Sequence, residues 1–164
     1  MPKPVLYNKY DRETLMQRLA QEPFERRTIS FYRYVHLEDP QSVRDQLFLE
    51  WDVFHCFGRI YVAQEGINAQ MSVPEPHWDA FVASLYAWDA FRDVPFKIAV
   101  EDDGKSFFKL TIKVRHQIVA DGLSMEDYDV TNVGRHLSAA EWNTLMDSGE
   151  AIVVDMRNHY ESEI

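Results

Sequence analysis

Only one of the 164 residues is a cysteine, Cys56, so no disulfide can form within the chain and a packed core must hold it together. Cys56 lies in V-F-H-C-F-G at 53–58 and reads as a buried structural cysteine, a small hydrophobe with no cation beyond His55 to stabilise a thiolate. Glycine is scarce, at six residues, and neither G-x-x-x-x-G-K-[ST] nor G-x-G-x-x-G occurs, so nucleotide cradling by a glycine loop has no support. The histidines at 36, 55, 77, 116, 136 and 159 form no H-x-H, no H-E-x-x-H and no Cys/His set with zinc spacing, so no metal site is expected. No apolar run approaches the ~18 residues of a membrane span. Met1-Pro2-Lys3-Pro4 leads into Asn8, Lys9 and Asp11 instead of the apolar stretch of a signal peptide. The expectation is a cytoplasmic protein with no membrane partner.

Hydrophobic residues make up 46% of the chain and aromatic residues 13%, enough to bury a core. The net charge of −10 is unevenly spread: residues 1–119 hold 15 Lys and Arg against 17 Asp and Glu, whereas residues 120–164 hold 2 against 10. An acidic chain can therefore still offer its first part to an anionic partner.

The stretch G-R-I-Y-V-A-Q-E-G-I-N-A-Q-M-S-V at 58–73 reads as a β-hairpin. Ile60 and Val62 alternate with Arg59, Tyr61 and Ala63, then Ile67, Ala69, Met71 and Val73 alternate with Asn68, Gln70 and Ser72, and Glu65-Gly66 makes the reversal. Two strands are marginal in water, so more structure is expected on both sides. A short amphipathic helix over 11–21 precedes a strand over 28–35. Asp39-Pro40 opens a helix with Val43, Leu47, Trp51 and Phe54 as its buried stripe. After the hairpin, Trp78, Phe81, Val82, Leu85 and Tyr86 mark a second helix, and 96–100 supplies another strand. The whole reads as α+β, a two-layer β-α-β-β-α-β sandwich over residues 1–120. A linker is placed at 121–137, and a further α/β unit begins at 138–164 with a capping box at Ser138 and Glu141 and a strand over 151–157. That last unit has too few elements to bury a parallel sheet, so the expectation is an unfinished domain whose apolar strand docks elsewhere, with a homo-oligomer as one outcome.

The run 106–119 reads as a strand with one packing and one cationic face: Phe108, Leu110, Ile112 and Val114 against Lys109, Thr111, Lys113 and Arg115, with Lys105 in phase. This row is either a solvated or edge-protecting strand face or a surface that tracks phosphates. Tyr32, Tyr34 and Tyr61 could supply stacking platforms for unpaired bases, with Arg33 as a further cation. The scaffold is also that of acylphosphatase, but that activity needs a glycine-containing turn and Arg just after the first strand, and Arg33-Tyr-Val-His-Leu-Glu38 has no glycine.

Five segments in register, E-G-I-N-A-Q at 65–70, D-D-G-K-S-F at 102–107, K-V-R at 113–115, I-V-A-D-G at 118–122 and V-D-M-R-N-H-Y-E at 154–161, resemble the bacterial rhodanese-domain family that hydroxylates the wobble uridine of tRNA. The resemblance implies a ferredoxin-like, acylphosphatase-like domain followed by the first elements of a rhodanese domain, whose D-x-R motif is matched by Asp155 and Arg157 in a structural role. It implies oxygen-dependent formation of 5-hydroxyuridine, with molecular oxygen as co-substrate, no bound cofactor and the tRNA anticodon stem-loop as partner. The family's active-site cysteine is expected beyond Ile164, so no catalytic residue is carried over, and Lys105, Lys109, Lys113, Arg115, Arg33 and Tyr32 are the RNA-binding candidates. The alternatives are a rhodanese-type sulfurtransferase and a non-catalytic RNA or protein interaction module.

Overall fold

The computed structural model describes residues 6–100, 102–119, 122 and 127–155. The chain divides into two compact units, Met1–Asn132 and Val133–Ile164. In the first unit, Asp11 accepts the Thr14 amide at 2.9 Å and caps α1 (Arg12–Ala20). Then follow β1 (Arg26–Tyr34), α2 (Pro40–Val53), β2 (Phe57–Ala63), β3 (Gly66–Pro74), α3 (Trp78–Tyr86), β4 (Lys97–Ile98) and β5 (Leu110–Val114). Pro40 occupies the first turn of α2, where its missing N–H costs nothing, and Asp39 accepts the Ser42 amide at 3.0 Å.

The sheet order is β4-β1-β3-β2-β5. β1 is antiparallel to both β3 and β4, β2 is antiparallel to β3, and β5 runs parallel to β2. This is the expected β-α-β-β-α-β ferredoxin-like sandwich with a fifth strand added beyond β2. Leu47, Phe48 and Trp51 of α2 and Phe81 and Leu85 of α3 pack against Ile29, Phe31, Ile60, Val62, Ile67, Met71 and Val73 of the sheet. Burying each such side chain contributes about 1.5–3 kcal/mol, so this face anchors the fold. Among the described residues of this unit, no helix packs on the other face.

Several expectations shift. The hairpin loop is Gln64-Glu65, closed by the pair Ala63 and Gly66. Gly66 is required by the approach of β1 as well as by its φ of +138°: a Cβ there would lie 1.9 Å from the Arg33 carbonyl oxygen. The strand read over 106–119 is confined to Leu110–Val114, because among the described residues its ladder partner is β2 alone, and Val114 at its end is 40% exposed. The strand over 96–100 keeps only Lys97 and Ile98. The first unit runs to Asn132, and Val130 within it is buried.

In the second unit, α4 (Ala139–Ser148) has the full capping box, with Glu141 Oε2 accepting the Ser138 amide at 2.8 Å and Ser138 Oγ accepting the Glu141 amide at 3.3 Å. Gly149, at φ 70°, ends it. The strand expected over 151–157 is absent among the described residues: 151–155 have no ladder partner, and Ile152, Val153 and Val154 are exposed. Arg157 lies outside the described residues.

Candidate nucleic-acid interface

Paired residues on neighbouring strands share a sheet face, so the register sorts the helix-free face into rows. One row runs Lys97, Ser30, Gln70, Arg59, Thr111, and the next runs Tyr32, Asn68, Tyr61, Lys113. Their sequence neighbours Ile29, Phe31, Ala69, Ile60 and Ile112 all point into the core. The outer edge of this face is walled by the loop before β5, and Gly58, Arg59, Tyr61, Phe107, Phe108, Lys109, Thr111 and Lys113 line a trough of about 360 Å³.

The wall is tied down by polar contacts. Ser72 Oγ donates to the Gly104 carbonyl at 2.6 Å, and Asp102 accepts from the Thr28 hydroxyl, the Gly104 amide and the Ser106 hydroxyl. The Thr28 hydrogen bond first, and the Gly104 amide second, hold the Asp102 carboxyl below the usual carboxylate range. Gly58, which donates to the Lys109 carbonyl at 2.9 Å, has no room for a side chain, since a Cβ would lie 2.5 Å from the Gln70 carbonyl oxygen.

The trough's charge is uncompensated. Arg26, Arg27, Arg44, Arg92 and Arg135 each pair with a carboxylate, whereas among the described residues none pairs with Arg59, Lys109 or Lys113. Arg115 stands beside this group, its Cζ 5.3 Å from the Tyr61 ring centroid and its amide bonded to the Val62 carbonyl at 2.9 Å.

The structure brings some of the sequence candidates together and separates others. Lys109 and Lys113 line the trough and Arg115 reaches it through Tyr61. Lys105 does not line it; its amide is bonded to Asp103 at 2.9 Å in the turn above. Tyr32 is 55% exposed on the same face, its ring 6.2 Å from that of Tyr34. Arg33 points to the opposite face, where it donates to the Arg92 carbonyl at 3.1 Å, because strand neighbours alternate. The sequence reading missed Arg59 as a site residue. Its place on the polar side of β2 was legible, but its pairing with Thr111 depends on the parallel register of β2 and β5.

A second residue outside the expected set shapes this region. Glu65 in the hairpin loop is buried, and its carboxylate accepts the Ile118 amide at 2.6 Å and the Tyr128 hydroxyl at 3.1 Å. Asn68 donates to the Ile118 carbonyl at 3.4 Å. The chain leaving β5 is thereby clipped to the hairpin, which holds Arg115 beside Tyr61.

Two chemistries find no support in this geometry. Cys56 is buried, and burial pushes its thiol up to about 12 against the lowering pull of Arg26, so it stays protonated near neutral pH. The amides of Val35 and Leu37, just after β1, are spent on the carbonyls of Glu65 and Gln64 at 2.9 Å each and are not free to cradle a phosphate.

Among relatives, this chain is 56% identical over 162 residues to a tRNA uridine(34) hydroxylase of Leptospira interrogans serogroup Icterohaemorrhagiae serovar Lai, covering 99% of this chain and 44% of that protein. It is 48% identical over 162 residues to proteins of the same name from Escherichia fergusonii and Escherichia coli strain SMS-3-5, covering 98% of this chain and 46% of each. The chain thus spans under half the length of these relatives. Residues 26–118, the whole sandwich from the first strand of the sheet to the clip at Ile118, match the family described as UPF0176 acylphosphatase like domain, and the chain belongs to that family.

Proposed function

We propose that this chain is the tRNA-binding part of a cytoplasmic enzyme that hydroxylates uridine 34 of tRNA. The observation that carries the proposal is 56% identity across 99% of the chain with a relative named for that activity. The cationic, aromatic-lined trough supports it, because an anticodon loop presents phosphates and unpaired bases together. In this reading the role of the chain is recognition, carried by the trough of Arg59, Tyr61, Lys109 and Lys113. Molecular oxygen is the co-substrate of the whole enzyme in this reading.

The test is nucleoside analysis of tRNA from cells deleted for the gene. Loss of the 5-oxygenated uridine at position 34, restored by the intact gene, is the expected result. Loss of a thiolated base instead would make the protein a sulfurtransferase, and an unchanged nucleoside profile would overturn the reading.

A further inference from the structure

We infer that the trough between β2, β5 and the loop before β5 is a single-stranded RNA site that seats one unstacked nucleotide, with its base against Tyr61 and Phe107 and its phosphates on Arg59 and Lys113. The inference deepens the tRNA reading and rests on it for the source of the strand.

Charge is the first argument. The chain carries ten more acidic than basic groups, so exposed cations have carboxylates to choose from, and five of the ten described arginines have taken one. Arg59, Lys109 and Lys113 converge on one trough with no carboxylate among its described lining residues. Among the described residues, the acids nearest in sequence to Lys109 and Lys113 are engaged elsewhere, Asp102 with Thr28, Gly104 and Ser106 and Asp103 with the Lys105 amide, and Glu65, six positions from Arg59, is held by the Ile118 amide and the Tyr128 hydroxyl. Unpaired cations held together repel one another, and an anion removes that repulsion.

Shape and chemistry select the anion. At about 360 Å³ the trough falls within the range of small-molecule sites, and is too small for a duplex to enter. Its lining mixes aromatic rings with cations, which suits a nucleotide's flat base and charged phosphate and serves an acidic peptide poorly. Tyr32 lies in the row of Tyr61 and Lys113, two strand spacings from Tyr61 or about 10 Å, so the next base has a platform on the same face. This face thus presents rings on β1 and β2, at Tyr32 and Tyr61, and phosphate partners on β2 and β5, at Arg59 and Lys113.

The experiment uses the 164-residue chain and fluorescence anisotropy with three labelled probes: an anticodon stem-loop, a short oligouridylate and a blunt RNA duplex. The stem-loop and the oligouridylate are expected to bind, and the duplex to bind at least tenfold more weakly. The double change Arg59→Glu and Lys113→Glu should flatten the log–log dependence of affinity on salt by about 1.4 for the loss of two single-strand phosphate contacts. Tyr61→Leu should weaken binding roughly 5- to 150-fold, the range for one stacked base. Lys105→Glu, outside the trough, should change the slope by less than half as much. Arg59→Gln with Lys113→Gln serves if the Glu pair lowers the urea midpoint.

Stem-loop binding that survives the trough variants overturns the site and leaves the tRNA reading standing. Trough-dependent binding of oligouridylate, together with an unchanged nucleoside profile in the deleted strain, upholds the site and refutes the hydroxylase reading. Equal competition by polyglutamate would overturn the site in favour of an acidic polypeptide partner, and absence of binding by any RNA at low salt would overturn it outright.

Discussion

Replacing Glu65 with alanine should destabilise the first unit more than any surface change, because one buried carboxylate closes the chain after β5 onto the hairpin. It accepts two hydrogen bonds, from the Ile118 amide at 2.6 Å and the Tyr128 hydroxyl at 3.1 Å. Hydrogen bonds to a charged group contribute about 1.5–3 kcal/mol each, and a buried amide left without a partner costs a further ~1–3 kcal/mol. Some of this is recovered by relaxation and water entry, so the expected loss for Glu65→Ala is roughly 3–5 kcal/mol, a large share of the ~5–15 kcal/mol typical of a domain. Glu65→Gln keeps the shape and one acceptor oxygen and should cost about 1–2 kcal/mol. Tyr128→Phe removes one of the two donors, and its coupling to Glu65→Ala in a double-mutant cycle should be about 0.5–3 kcal/mol. The assay is urea unfolding at neutral pH followed by tryptophan fluorescence, with Trp51 fully buried in the same core. A Glu65→Ala variant that lost less than about 1 kcal/mol, with no coupling to Tyr128, would refute the clip as a structural device.

Two more outcomes follow from titrating groups. Asp102 has its folded-state pKa depressed, chiefly by the Thr28 hydroxyl, so its contribution to stability is present above the unfolded value near 3.8 and is lost as pH falls through the lower folded value. Thermal melts of the chain and of Asp102→Asn should therefore differ at pH 7 and converge toward pH 3; a gap that stayed constant would show that the carboxylate does not anchor the trough wall. Cys56, buried with its thiol pushed up to about 12, should resist a thiol reagent at pH 8 in the folded chain and react once in urea. Rapid stoichiometric labelling of the folded protein would contradict that burial.

Local signals alone settle much of this molecule. Asp39-Pro40 and the spacing of Leu47 and Trp51 dictate α2, the Ser138 and Glu141 pair dictates the start of α4, and the period-2 alternation of 58–73 dictates the hairpin, because each depends only on residues within a few positions. The same alternation separates Lys109 and Lys113 from the core-facing Leu110 and Ile112 before any fold is known. What local pattern cannot carry is which distant strand lies alongside. The parallel pairing of β5 with β2 sets Arg59 beside Thr111 and makes a trough of residues some fifty positions apart, and strand alternation on β1 turns Arg33 away from Tyr32 despite their adjacency in the chain. Glu65 reads as a turn residue in the sequence, and only the return of the chain from β5 makes it a buried acceptor. Charge pairing is likewise a tertiary property: composition counts the cations, but it is the packing of carboxylates against Arg26, Arg27 and Arg44 that leaves Arg59, Lys109 and Lys113 for an outside anion, because an ion pair forms only where two chain segments are brought within about 4 Å.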